Sequence, residues 1–193
     1  MNKTRLEAFS DGVFAIIITI MVLEIKVPQG DDWYALKPLI PVMSSYVLSF
    51  SFVGVYWVNH HHFMHTVHKV NGAILWANIH LLFWISLVPV ATDWMGASHF
   101  AKVPVAVYAA LLLCCGIAYT VLEYFVQKKN KPTEKLLHAL TMAHRKSIFS
   151  IFCYLAALAF AFINTTVSGI LFLLVSIIWF LPDKNIERAL SDE

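Results

Sequence analysis

The sequence predicts an all-α fold, an integral membrane bundle of six helices. Three observations lead there. The first is composition: across 193 residues, 59% are hydrophobic, only 13% are charged, and mean hydropathy is +0.69. A soluble domain carries roughly twice that charged fraction, about 25%. The second is segmentation. Six apolar stretches lie at or near the roughly 20 residues that a helix needs to cross a bilayer. The third is charge placement. With the N-terminus inside, eleven of the fourteen Lys and Arg residues fall on one side, and only Lys26, Lys37 and Lys102 fall on the other. Basic residues favour the cytoplasmic side. A multi-pass protein of the cell (inner) membrane, with both termini cytoplasmic, is therefore expected, in a single domain over residues 1–193.

The first span, about residues 6–27, sets the pattern. After Asp11 come twelve uncharged residues, 12–23, with one hydroxyl, Thr19. That run is too short to cross alone, so the span takes its first turns from residues 6–11. Ser10 and Asp11 are thereby drawn towards the membrane. An ionisable group there is costly unless it faces protein or water, which makes Asp11 a functional candidate. At 100° per residue, Arg5, Phe9, Gly12, Ile16, Ile20 and Leu23 fall on one stripe, within about 40° of Ile16. Thr19 lies at its edge, while Ser10 and Asp11 point about 120° to 140° away. The run lacks a small-residue cleavage site, so it is expected to remain as a span.

The loop QGDDWYALKP follows, with Gly30 and Pro38 as breakers. The remaining spans are drawn at about residues 39–59, 73–94, 103–126, 147–163 and 167–181. Between the fourth and fifth lies the longest connection, residues 127–146. Past Pro132, Thr133 and Glu134 can start a helix, and Leu136, Leu137, Leu140 and Ala143 give it an apolar face. Helix five is therefore expected to begin near residue 133, outside the membrane. Asn164, Thr165 and Thr166 form the turn before the last span, and Pro182 ends it. The cysteines Cys114, Cys115 and Cys153 all sit in apolar segments and read as packing residues.

Polar residues inside or beside these spans are the candidates for chemistry. His60, His61, His62, His65 and His68 cluster at the end of the second span. Spacings of three and four suit a metal, but no carboxylate or thiol completes a set nearby. Capping and interfacial roles, or proton sensing, are the competing readings, and no metal is expected. Asn78 and His80 lie within the third span and need partners inside a bundle. Glu123, late in the fourth span, is read as reaching the cytoplasm or pairing with Lys128 or Lys129. There is no Gly-rich phosphate loop, nucleophile motif or Cys-x-x-Cys pair, so no enzyme and no cofactor are expected. The potassium-filter string T-V-G-Y-G is absent too, so any ion selection falls to side chains on a helix.

The segment RLEAFSDGVFAIIITIMVLEI resembles the R-x-x-x-F-S-D first helix of bacterial homologues of the lysosomal potassium channel, the transmembrane protein 175 family. Arg5, Phe9, Ser10 and Asp11 match position by position, and the likeness extends more loosely through YWVNHHHF and WANIHLLFWISLVP. The resemblance implies a homotetramer around a central pore lined by the first helix. Eukaryotic members carry two six-helix repeats with this motif, whereas here there is one copy. It also implies a network of Arg5, Phe9, Ser10, Asp11, Trp57, His61 and Asn78 that holds the first helix. Ile16 takes the position of the family's constricting isoleucine.

The expectation is a potassium-preferring cation channel. Rings of Ile16, Ile20 and Leu23 would form a hydrophobic gate, and Thr19 would touch the K+ ion. The permeant K+, the lipid bilayer and further copies of the chain are the expected partners, with no nucleic acid. The alternative is a proton-coupled or metal-ion transporter using Asp11 and the His60–His68 cluster.

Overall fold

A computed structural model describes residues 2–130 and 133–180, and among these all regular structure is helical. Helix α1 spans Lys3–Leu23, capped by Asn2, whose side chain accepts from the Thr4 amide at 3.2 Å. A 3₁₀ helix of about two turns, Trp33–Leu39, follows, started by Asp32 accepting from the Ala35 amide at 2.9 Å. This segment was expected to be an irregular loop. The Asp32 cap and the low demand of a 3₁₀ turn explain its order.

Helix α2 is Ile40–His65. The third predicted span divides in two: α3, Gly72–Ser86, and α4, Val88–Ala97. The break is at Leu87, two residues before Pro89. Pro89 has no N–H to give the carbonyl of Ile85, and its ring crowds the turn before it. Helix α5 is Lys102–Lys129, α6 is Glu134–Phe160 and α7 is Thr165–Phe180. The start of α6 at Glu134 lies where the sequence placed it, one residue past Thr133. Pro182 lies outside the described residues.

Among the described residues, four stretches are long and apolar enough to cross a membrane: Lys3–Leu23, Trp33–His65, Gly72–Ala97 and Lys102–Lys129. The 16-residue α7 is also apolar. Helix α5 is the central post, packing on α3, α4 and α6, and it buries Tyr108, Leu112, Cys115 and Leu122. Small residues let the helices close up, as membrane bundles require. A side-chain carbon added at Gly96 would stand 2.9 Å from the Val42 Cα, so α4 and α2 meet backbone to backbone. After Gly96 the chain turns through two left-handed residues, His99 (φ 51) and Phe100 (φ 57). The Phe100 amide reaches back to the Met95 carbonyl at 2.9 Å, closing the helix end.

Asn130, just past α5, clamps the α2–α3 turn. Its side-chain oxygen accepts from the amides of His68 (2.9 Å) and Lys69 (2.6 Å), and its NH₂ donates to the Lys69 carbonyl at 3.1 Å. Against this scaffold α1 buries one face only: Leu6, Ser10, Phe14, Ile17 and Met21, which lie against α2, α3 and α4.

Candidate ion pathway and first-helix network

The buried face of α1 explains the polar motif. Ser10 is fully buried, and its hydroxyl donates to the Leu6 carbonyl at 2.9 Å. Its oxygen then accepts from the Asn78 NH₂ at 2.9 Å. With that amide committed as donor, the Asn78 oxygen faces His60 Nε2 at 2.7 Å, so Nε2 carries the proton. All three residues are buried, and each satisfies the next. The Phe14 ring lies 5.5 Å from the His60 ring, centroid to centroid, and seals the chain of bonds. One turn away, half-buried Asp11 accepts from Trp57 Nε1 at 2.9 Å.

Three expected members stand elsewhere: His61, Arg5 and Phe9, the last of which is exposed on the opposite face of α1. The histidine of this network is His60, not His61. His61 is exposed, stacks near Trp57 at 6.0 Å, and places its Nε2 3.1 Å from His65 Nε2. Arg5 is exposed, and its side chain makes no hydrogen bond or ion pair with the described residues of its own chain. At the start of the helix, Lys3 instead ties α1 to α2, donating to the His65 carbonyl at 3.1 Å and lying 3.7 Å from Glu7. His80 accepts from Trp84 Nε1 at 2.9 Å, one turn along α3, and does not join the Ser10 network. No group of three or more His, Cys, Asp or Glu side chains converges as a metal site among the described residues.

The predicted stripe occupies the opposite, exposed face. Phe9 is 56%, Ile16 58%, Ile20 41% and Leu23 78% exposed, while the adjacent Ile17 is 4% exposed. Thr19 is exposed as well. Its hydroxyl donates into its own helix, to the carbonyls of Ile16 (2.9 Å) and Ala15 (3.0 Å). The proton is thus turned inward, and the oxygen lone pairs remain for another partner. Helix α1 therefore has a fixed side, held by hydrogen bonds, and an open aliphatic side carrying one oxygen.

Comparison with known proteins decides the family. The sequence model of the endosomal/lysosomal potassium channel TMEM175 matches residues 5–89. A potassium channel of Chryseobacterium sp. (strain P1-3) is 50% identical over 192 residues, covering 100% of both chains. The chain belongs to the TMEM175 family. Its structure is similar to the crystal structure of the lysosomal potassium-selective channel TMEM175 homolog from Chamaesiphon minutus. That match has a TM-score of 0.79 and 30% identity, and covers 94% of this chain and 97% of that one. A mouse TMEM175, described as an endosomal/lysosomal proton channel, is 31% identical over 131 residues, 62% of this chain but 26% of that protein. These TMEM175 relatives are ion channels, not enzymes, and the chain is a multi-pass membrane protein.

Three polar groupings outside the motif were not foreseen. The first is the Asn130 clamp. The second is a buried chain in which Thr92 donates to Ser49 (2.7 Å), whose hydroxyl lies 2.8 Å from Tyr108. The third surrounds Glu123. It accepts from His144 and Ser147 on α6, rather than pairing with Lys128 or Lys129 as the sequence suggested. Lys128 turns instead to Tyr124, its Nζ 5.5 Å from the ring centre.

Proposed function

We propose that four copies of this chain assemble around a central axis and conduct potassium through a pore lined by α1. The observation that carries this reading is the two-sidedness of α1. Its polar residues are spent on holding it to α2 and α3, while Phe9, Ile16, Thr19, Ile20 and Leu23 stay uncovered on the far side. In a bilayer an uncovered aliphatic face is unremarkable, but a hydroxyl oxygen with free lone pairs in its midst calls for a polar partner. Rotational symmetry supplies one when four such faces enclose water. The potassium channels among its relatives support the choice of ion.

In this reading Ile16, Ile20 and Leu23 form stacked rings. None of them offers a polar atom to replace an ion's water, so a narrow ring stops ions, and slight widening passes them hydrated. Thr19 supplies the single ring of oxygens between Ile16 and Ile20. The membrane is the inner cell membrane, with both termini in the cytoplasm, as the basic residues favour. A transporter built on Asp11 and the histidines has less support, because Asp11 is bonded to Trp57 and His60 to Asn78.

Single-channel recording from purified protein in planar bilayers tests the reading. Discrete currents that reverse near the potassium equilibrium potential are expected. Flux without resolvable channel openings, at the slow turnover of a carrier, overturns it. Mass measurement of the detergent-solubilised protein should give four chains, and a stable monomer would remove the pore.

A further inference from the structure

The interior holds a second polar centre, remote in sequence from the α1 motif. Glu123 on α5 is 3% exposed, and both of its carboxylate oxygens are used. Oε2 accepts from His144 Nδ1 at 3.0 Å and Oε1 from the Ser147 hydroxyl at 3.2 Å, both on α6. Two donors on two oxygens suit the ionised carboxylate, which only accepts. His144 reaches the other way as well: its side chain is 45% exposed, against 4% for that of Glu123. Since Nδ1 donates inward, a neutral His144 has its bare nitrogen, Nε2, free to take a proton.

Space and further polar groups surround the pair. A cavity of about 20 Å³ touches Glu123, Asn59, His62, Tyr119 and Trp179. A second cavity of about 20 Å³ touches Ser147, Ser150, Tyr56 and the same Asn59, Tyr119 and Trp179. Each is large enough for about one water. The titratable and charged groups facing the carboxylate are few: His62 and Tyr56 from α2, Tyr119 from α5 itself, and from α6 His144 and Lys146, whose Nζ lies 5.9 Å over the Trp179 ring. From the described residues of α7, the uncharged Trp179 lines the same cavity.

We propose that Glu123, His144 and Ser147 form a proton-binding site open to the cytoplasm, and that its occupancy sets how tightly α6 is held against α5. The proton adds at His144 Nε2. The Nδ1 bond to Glu123 survives in both states, but the charge of the pair changes from −1 to zero. Without the added proton, the buried carboxylate has only neutral hydrogen-bond donors among the described residues that bond to it, a costly arrangement. Imidazole titrates in the range where cytoplasmic pH varies. Contact between α5 and α6 therefore strengthens as His144 takes up the proton and weakens as it gives it up. The proposal does not depend on the pore reading, because its readout is the fit of two helices within one chain.

Thermal unfolding of the purified protein in detergent, taken from about pH 5.5 to 8.5, tests it across the histidine range. For the unaltered chain, the midpoint should fall by a few degrees as pH rises; in a chain of this size, about 2–4 °C corresponds to 1 kcal/mol. His144→Gln keeps a donor but cannot take the proton, and should flatten most of that slope. Glu123→Gln should flatten it equally, and the double variant should add nothing further, since coupled sites are not additive. If Glu123→Gln fails to fold, the His144→Gln profile decides alone. His138→Gln, on the exposed side of α6, serves as control and should keep the slope. A slope unchanged by His144→Gln, or one removed equally by His138→Gln, overturns the proposal.

Discussion

The Asn78 side chain joins two elements that the chain makes far apart, donating to Ser10 on α1 while accepting from His60 on α2. Asn78→Leu keeps the volume and removes both bonds. It leaves the buried His60 N–H without an acceptor and Ser10 without its donor. A buried polar group left unsatisfied costs roughly 1–3 kcal/mol, so the unfolding midpoint in detergent should fall by several degrees. Asn78→Asp keeps the acceptor for His60 and should lose less. Equal stability of the unaltered and Asn78→Leu proteins would show that this bond does not hold α1.

Arg5 leads to a different expectation. It is exposed, and its side chain has no partner among the described residues of its own chain, so its loss should spare the helical fold of a subunit. Circular dichroism of Arg5→Ala should match the unaltered protein, while the yield of the proposed tetramer falls. A drop in helix content alongside the lost assembly would mean that Arg5 acts inside the subunit.

Ile16 and Ile17 are neighbours with opposite surroundings, 58% and 4% exposed. Ile16→Asn places four amides in the proposed ring. Current should rise, and discrimination among potassium, sodium and caesium should weaken. Ile17→Asn buries an amide in the core against α2 to α4, at a cost on the order of 1–3 kcal/mol, and should lower folded yield without enlarging the current. A permeation effect at Ile18, with none at Ile16, would rotate the pore face by about half a turn.

Gly96 permits the α2–α4 approach, and a methyl there would press on backbone at Val42. Backbone cannot step aside as a flexible side chain would. Gly96→Ala should cost about 1–3 kcal/mol, read as a lower unfolding midpoint. An unchanged midpoint would mean that the two helices part freely.

The exposed pair His61 and His65 offers two nitrogens 3.1 Å apart, and no third ligating side chain completes a site with them among the described residues. We expect folding and conduction to survive chelator treatment. Stoichiometric zinc by elemental analysis, lost in His61→Ala or His65→Ala, would contradict this.

The two faces of α1 were legible in the sequence because helical spacing alone separates Phe9, Ile16 and Ile20 from Phe14, Ile17 and Met21. Helix six begins at Glu134, where Pro132 and an apolar periodicity pointed. The choice of His60 over His61 was not legible. Adjacent residues on a helix differ by 100°, and which one turns inward depends on the docking angle of α2. The partner of Glu123 was obscure for a related reason. Lys128 and Lys129 are near in sequence, but His144 and Ser147 reach it only once α6 folds back alongside α5. The division at Leu87 did leave a mark, since Pro89 was in plain view. It passed as part of one span because the surrounding residues are apolar on both sides of it.

The bond from Asn78 to Ser10 also fixes an order of events during synthesis. Ser10 leaves the ribosome 68 residues before Asn78, and Asp11 leaves 46 before Trp57. At about 5–20 residues per second, the head of α1 exists for roughly 3–14 s before the chain contains the amide that completes it. During that interval Ser10 can bond only to its own turn, and for roughly the first 2–9 s Asp11 lacks the Trp57 indole. The bonds that hold the first helix to its neighbours can therefore be completed only after α3 emerges, which makes its docking a late step for the segment that is translated first.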